Sequence, residues 1–141
     1  MNSIPFSDAV NGHKKTLDIC NLFCKGFANW LVKHEIGNAN LSYFVFYGQK
    51  VEVSLSPIYM DRLLGKLDLY LLVSSEIAEQ MKRVYLISIY MSHEQCYGLL
   101  NHESNDDKIF YIKSTNKTEM ENYIYKPIIK KFFQYYNVET F

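Results

Sequence analysis

The sequence predicts an α+β fold: an antiparallel twisted sheet of about five strands packed against N- and C-terminal helices. Three observations carry this expectation. Helical periodicity runs over residues 14–35 and again over 118–136. Period-two alternation marks a hairpin over 43–54, and short β-branched or aromatic runs fill 66–113. The expected order is α-β-β-(α)-β-α-β-β-α, with an irregular arm at 1–13 and one domain over 14–141.

The arm is polar and holds Pro5 and Gly12. In the first helix, Asp18, Asn21, Lys25, Asn29 and Lys33 form one narrow polar stripe. Cys20, Phe23, Cys24, Phe27, Trp30 and Leu31 fill the opposite side. So wide an apolar arc exceeds what one buried face requires, so the helix is covered on two sides or offers part of its arc to a partner. Gly37 and Asn38 supply the stop.

The hairpin is read as two strands flanking Gly48 and Gln49, with glycine first in a type II′ turn. That register pairs Phe46 with Val51 and Phe44 with Val53 on the core face. Tyr43, Val45 and Tyr47 then share the other face with Lys50, Glu52 and Ser54.

Pro57 breaks the run, and residues 58–64 read as a short helical turn ending at Gly65. Residues 66–73 read as a strand with Leu67, Leu69 and Leu71 on one side. Ser74 or Ser75 caps a helix running to about Lys82, with Glu76 at its positive end. Residues 84–91 form a central strand. An acidic loop over 92–108 follows, interrupted by the apolar piece 96–100. Residues 109–113 are a strand with Phe110 and Ile112 inward. Thr118 and Glu121 match a capping box that opens the last helix, and Pro127 kinks or splits it.

Charge narrows the function classes. Fifteen basic residues balance fifteen acidic ones, the only arginines are Arg62 and Arg83, and no basic run exceeds two residues. Phosphate neutralisation needs clustered cations, so nucleic acid is not an expected partner. Residues 76–107 nevertheless carry a net −4 and residues 108–141 a net +3, a dipole that can steer a charged partner. Twelve tyrosines and nine phenylalanines make the chain aromatic-rich, and tyrosine is frequent at protein contacts. No run of eighteen apolar residues and no signal-peptide pattern occurs, and the three cysteines are odd in number. The expectation is a cytoplasmic protein with free thiols that does not enter a membrane.

Chemistry-bearing constellations are sparse. His93, Cys96 and His102 lack the paired spacing that zinc sites use, so no metal or cofactor is expected. Cys96 has no glycine elbow or other nucleophile signature, and its neighbours Tyr97, Leu99 and Leu100 suit a structural thiol. Cys20 and Cys24 lie one turn apart on the apolar arc, as core residues do. Glu52 and Asp68 are both on strands, but Glu52 belongs to the outer face. No phosphate-cradling, metalloprotease or hydrolase motif occurs, so no catalytic residue is assigned.

In element order the chain is similar to class I chaperones of type III secretion, which are small α/β homodimers. In size and style it is similar to bacterial immunity proteins that block a cognate toxin. It departs from the chaperones in being neutral where they are acidic, and in its N-terminal arm. The leading expectation is a non-catalytic protein-binding inhibitor of the immunity kind, with another protein as partner. Tyr43, Tyr47 and Glu52 would be anchors, and Asp106 and Asp107 steering charges. The alternatives are a homodimeric effector chaperone with an apolar groove, and a small enzyme or small-molecule binder with a tyrosine-lined pocket.

Overall fold

A computed structural model of the protein describes residues 3–60, 63–74, 80–92, 94–100 and 111–140. The first element is α1 (Phe6–Lys33), 28 residues long. It begins inside the stretch expected to be an irregular arm. Pro5, held at φ −56°, precedes it, and Asp8 lies in its first turn, where the unpaired N–H groups favour negative charge. The Thr16 hydroxyl is buried and donates to the Gly12 carbonyl at 3.0 Å.

Seven strands follow among the described residues: β1 (Gly37–Ala39), β2 (Tyr43–Phe46), β3 (Gln49–Met60), β4 (Leu63–Ser74), β5 (Met81–Ser92), β6 (Cys96–Leu100) and β7 (Ile112–Lys113). They form one sheet in chain order, each antiparallel to the next. The α+β class and antiparallel sheet are as expected, while the strand count and order differ. Residues Gly37 and Asn38, read as a helix stop, instead open β1. A Cβ at Gly37 would lie 1.7 Å from the Val45 carbonyl oxygen, so only glycine lets β1 approach β2 so closely. The 96–100 piece is β6.

The helical turn expected at 58–64 is also a correction, because β3 continues to Met60 and β4 starts at Leu63. Pro57 is tolerated because β2 pairs with β3 only as far as Glu52. The missing N–H therefore falls on an edge without a ladder among the described residues. Most of the helix expected near residues 75–82 lies outside the described residues, but Met81 and Lys82 belong to β5.

The chain ends in α2 (Lys117–Met120), a π-helical turn (Glu121–Tyr125) and α3 (Lys126–Tyr135). The cap is Asn116, not Thr118: its side chain accepts the Glu119 N–H at 3.1 Å. Pro127 stands in the first turn of α3. It has no N–H for the residue four back, and its ring crowds that carbonyl. The widened π turn is where the helix absorbs both defects.

Strand alternation sends Val51, Leu67, Leu69, Leu71, Ile89 and Met91 to one face, all at 0% exposure, and α1 and α3 pack there. Phe27 is the hub. Its ring centroid lies 5.4 Å from Phe44, 5.9 Å from Phe46, 5.6 Å from Phe23 and 5.0 Å from Tyr125. Each such ring contributes about 1.5–3 kcal/mol on burial. The Tyr97 hydroxyl, also buried, donates to the Ile19 carbonyl at 3.0 Å and ties β6 to α1. α1 meets β4 and β5 so closely at its N-terminal half that a Cβ on Gly65 would come 2.8 Å from Thr16. Both long ladders carry register shifts, at Leu69/Tyr70 and between Pro57 and Met60, and such bulges add twist that bends the sheet around the helix.

Candidate functional site

The face of the sheet away from the helices carries one continuous row. Tyr43 on β2 pairs with Glu52 on β3, Glu52 with Tyr70 on β4, and Tyr70 with Tyr85 on β5. Because paired residues in a ladder point the same way, these four side chains stand side by side across four strands. Cations brace them. The Arg83 guanidinium lies 4.1 Å from the Tyr70 centroid and 3.0 Å from the Glu52 carboxylate. The Lys50 ammonium lies 4.7 Å from the Tyr43 ring centre, and Tyr70 meets Tyr85 edge-on at 5.8 Å. Tyr43 and Arg83 are exposed, Glu52 and Tyr70 half-buried.

Tyr43 and Glu52 thus lie on the outward face that alternation assigns them. The register itself is a correction. Phe44 pairs with Val51 and Phe46 with Gln49, two residues from the expected pairing. A shift of two preserves facing, so Phe44, Phe46 and Val51 remain inward. The cause is the turn, which is Tyr47 and Gly48 rather than Gly48 and Gln49. Both have positive φ, 51° and 80°, as a type I′ turn requires.

That turn removes Tyr47 from the outer row. Its N–H donates to the Ile36 carbonyl at 2.7 Å, and its ring packs 5.6 Å from Phe133 and 6.1 Å from Phe132 on α3. Half of it stays exposed beside a hollow that Trp30 also lines. Asp106 and Asp107 lie outside the described residues. Alternation within the hairpin places Lys50 on this face, but Tyr70, Tyr85 and Arg83 were missed as members of the row. The signal for Tyr70 was present, since it alternates with the inward Leu67, Leu69 and Leu71.

Further along the same face is a closed polar network. Asp68, 8% exposed, accepts a short hydrogen bond from the Ser88 hydroxyl, and Lys66 stands 3.5 Å from its other oxygen. The Tyr85 hydroxyl lies 2.7 Å from Ser88 Oγ and 3.3 Å from the Leu100 carbonyl. Ser88 is fully buried, which denies a substrate access and makes the group a structural clamp between β4, β5 and β6. Tyr90 nearby is pushed above the usual tyrosine pKa, chiefly by burial.

Two of the thiols belong to the core. Burial pushes Cys20 and Cys24 up to about 12, with Cys24 adding to the shift of Cys20. A thiol held protonated this way is a poor nucleophile and a poor ligand. Cys20 instead packs 3.3 Å from the Met91 sulfur. Cys96 is buried, and His93 and His102 lie outside the described residues. Among the described residues no cluster of three metal-ligating side chains occurs, and no helix is long and apolar enough to cross a membrane.

Comparison of the chain with family models, curated proteins and solved structures gives no match.

Proposed function

We propose that this chain is a non-catalytic protein-binding module, an inhibitor of the immunity kind whose outer sheet face occludes the active surface of a partner protein. The observation that supports it is the Tyr43–Glu52–Tyr70–Tyr85 row with its bracing Lys50 and Arg83. Binding hot spots favour tyrosine and arginine held on rigid supports, because little side-chain freedom is left to lose on association. Strand-borne anchors meet that requirement better than loop-borne ones. The mixed charge of Glu52, Arg83 and Lys50 supplies register and discrimination more than raw affinity. The concave side of the sheet is filled by α1, which favours occlusion by the outer face over a chaperone groove between helix and sheet.

The test is comparative capture from the native host. Wild-type chain, a Tyr43→Ala/Arg83→Glu variant and a control altered on the exposed side of α1, Leu22→Ser, are immobilised side by side. A protein retained by wild type and control but lost from the outer-face variant supports the reading. Equal retention by all three refutes it.

A further inference from the structure

Away from the outer row, the C-terminal end of α1, the β2–β3 turn and α3 border an open hollow of about 350 Å³. Its walls include the rings of Trp30, Tyr47 and Phe133, and its polar lining is Lys126, Lys130, His34 and Thr140. No carboxylate lines it among the described residues. Lys126 is partly engaged by Glu121 and Asn122, each at 3.4 Å, whereas Lys130 and His34 have no acidic partner among the described residues. Aromatic walls beside Lys130 and the partly engaged Lys126 are complementary to an apolar molecule carrying one negative group.

Trp30 adds a second, independent observation. Its ring is packed against Phe27, Tyr125 and His34 at 6.1, 5.5 and 5.0 Å, which fixes it in the wall. Its Nε1–H is buried and has no acceptor among the described residues. Buried indole N–H groups are ordinarily satisfied, so this unmet donor is a defect of the wall, and a ligand oxygen meets it only if the indole turns toward the hollow. Tyr47 belongs to the same hollow. Its left-handed backbone turns the ring out of the strand alternation and against α3, where it closes one side of the hollow.

We propose that this hollow is a binding site for a small amphipathic carboxylate, an aryl- or alkyl-carboxylic acid. The acid group meets Lys130 and Lys126, and the apolar body lies against Trp30, Tyr47 and Phe133. The site shares no residue with the outer row, so it stands or falls separately from the proposed function.

Trp30 is the only tryptophan, so its fluorescence reports on its own surroundings, and the Lys126/Lys130 variant separates this hollow from the one that Trp30 shares with Lys33 and Lys117. The full chain is titrated with 4-phenylbutyrate and with hexanoate, and in parallel with 4-phenylbutyramide, which keeps the body and removes the charge. The expected result is a saturable change with at least one acid and at least about tenfold weaker binding of the amide, the loss of a charge-assisted contact. Lys126→Gln/Lys130→Gln should weaken the acid by a similar factor with an unchanged melting temperature, since both lysines are exposed. Calorimetry of Trp30→Phe should show weaker binding, because the indole is cut to a single benzene ring and the wall loses both apolar area and the N–H. No saturation with either acid, equal binding of acid and amide, or indifference to the lysine change would overturn the assignment.

Discussion

The Arg83 guanidinium carbon stands 4.1 Å from the centre of the Tyr70 ring, on the side of the sheet that no helix covers among the described residues. Tyr70 is thereby held upright, and the same guanidinium reaches Glu52 at 3.0 Å. Both members of that ion pair are about half exposed, so its contribution to stability is small, within about 1 kcal/mol. Arg83→Ala should therefore leave the urea midpoint nearly unchanged. A loss of several kcal/mol would mean that Arg83 holds the sheet together rather than presenting its surface.

Neighbouring residues in β2 should behave oppositely. Phe44 is fully buried against Phe27, whereas Tyr43 is 38% exposed. Phe44→Ala should cost about 3–5 kcal/mol. Tyr43→Ala should cost under about 1 kcal/mol. Equilibrium unfolding of the two variants checks both numbers, and similar losses would reverse the assignment of faces.

Gly48 has φ 80° and nothing within 4 Å of where a Cβ would stand. Its substitution therefore isolates backbone strain from crowding. Gly48→Ala should cost about 1–2 kcal/mol through the left-handed conformation alone. Gly37→Ala should cost more, because the added carbon meets the Val45 carbonyl. If thermal melts order the two the other way, the β1–β2 approach is looser than described.

Alkaline pH should weaken the fold. Burial raises the Cys20 and Cys24 thiols to about 12, against roughly 8.5 in an unfolded chain. The folded state then binds more protons than the unfolded state between those values, so the slope of stability with pH is negative. The stabilisation is full below about pH 8.5 and falls as pH rises toward about 12. Buried Tyr97 and Tyr125 shift upward from desolvation too and steepen the fall above about pH 10. Urea midpoints at about pH 8 and pH 10 should differ, and Cys20→Ala/Cys24→Ala should shrink the difference. A pH-independent midpoint would contradict the buried-thiol account.

Parity was the legible part of this chain. Alternation placed Phe44, Phe46 and Val51 inward and Tyr43 and Glu52 outward, and a register error of two residues left that intact. What alternation does not specify is which two residues turn. A tyrosine at positive φ is rare enough that Gly48–Gln49 reads as the better loop, and the price was Tyr47. The long strands were harder. Pro57 signals a break on local grounds, but an edge without a ladder among the described residues tolerates it, and that is a property of the whole sheet. Gly37 reads as a helix stop for the same reason that it permits β1 to crowd Val45: it has no side chain. The candidate row was half legible, since Tyr43 and Glu52 are local to one hairpin. Tyr70 and Arg83 join them only through pairings across β3, β4 and β5.

Hydrogen exchange on the chain with and without its captured partner tests the outer-face claim most directly. The account predicts slowed exchange in β2, in the Gln49–Ser54 half of β3 and in β4 and β5 around Tyr70 and Arg83, with α1 and α3 unchanged. Protection confined to the helices, with those strands exchanging as in the free chain, would contradict it.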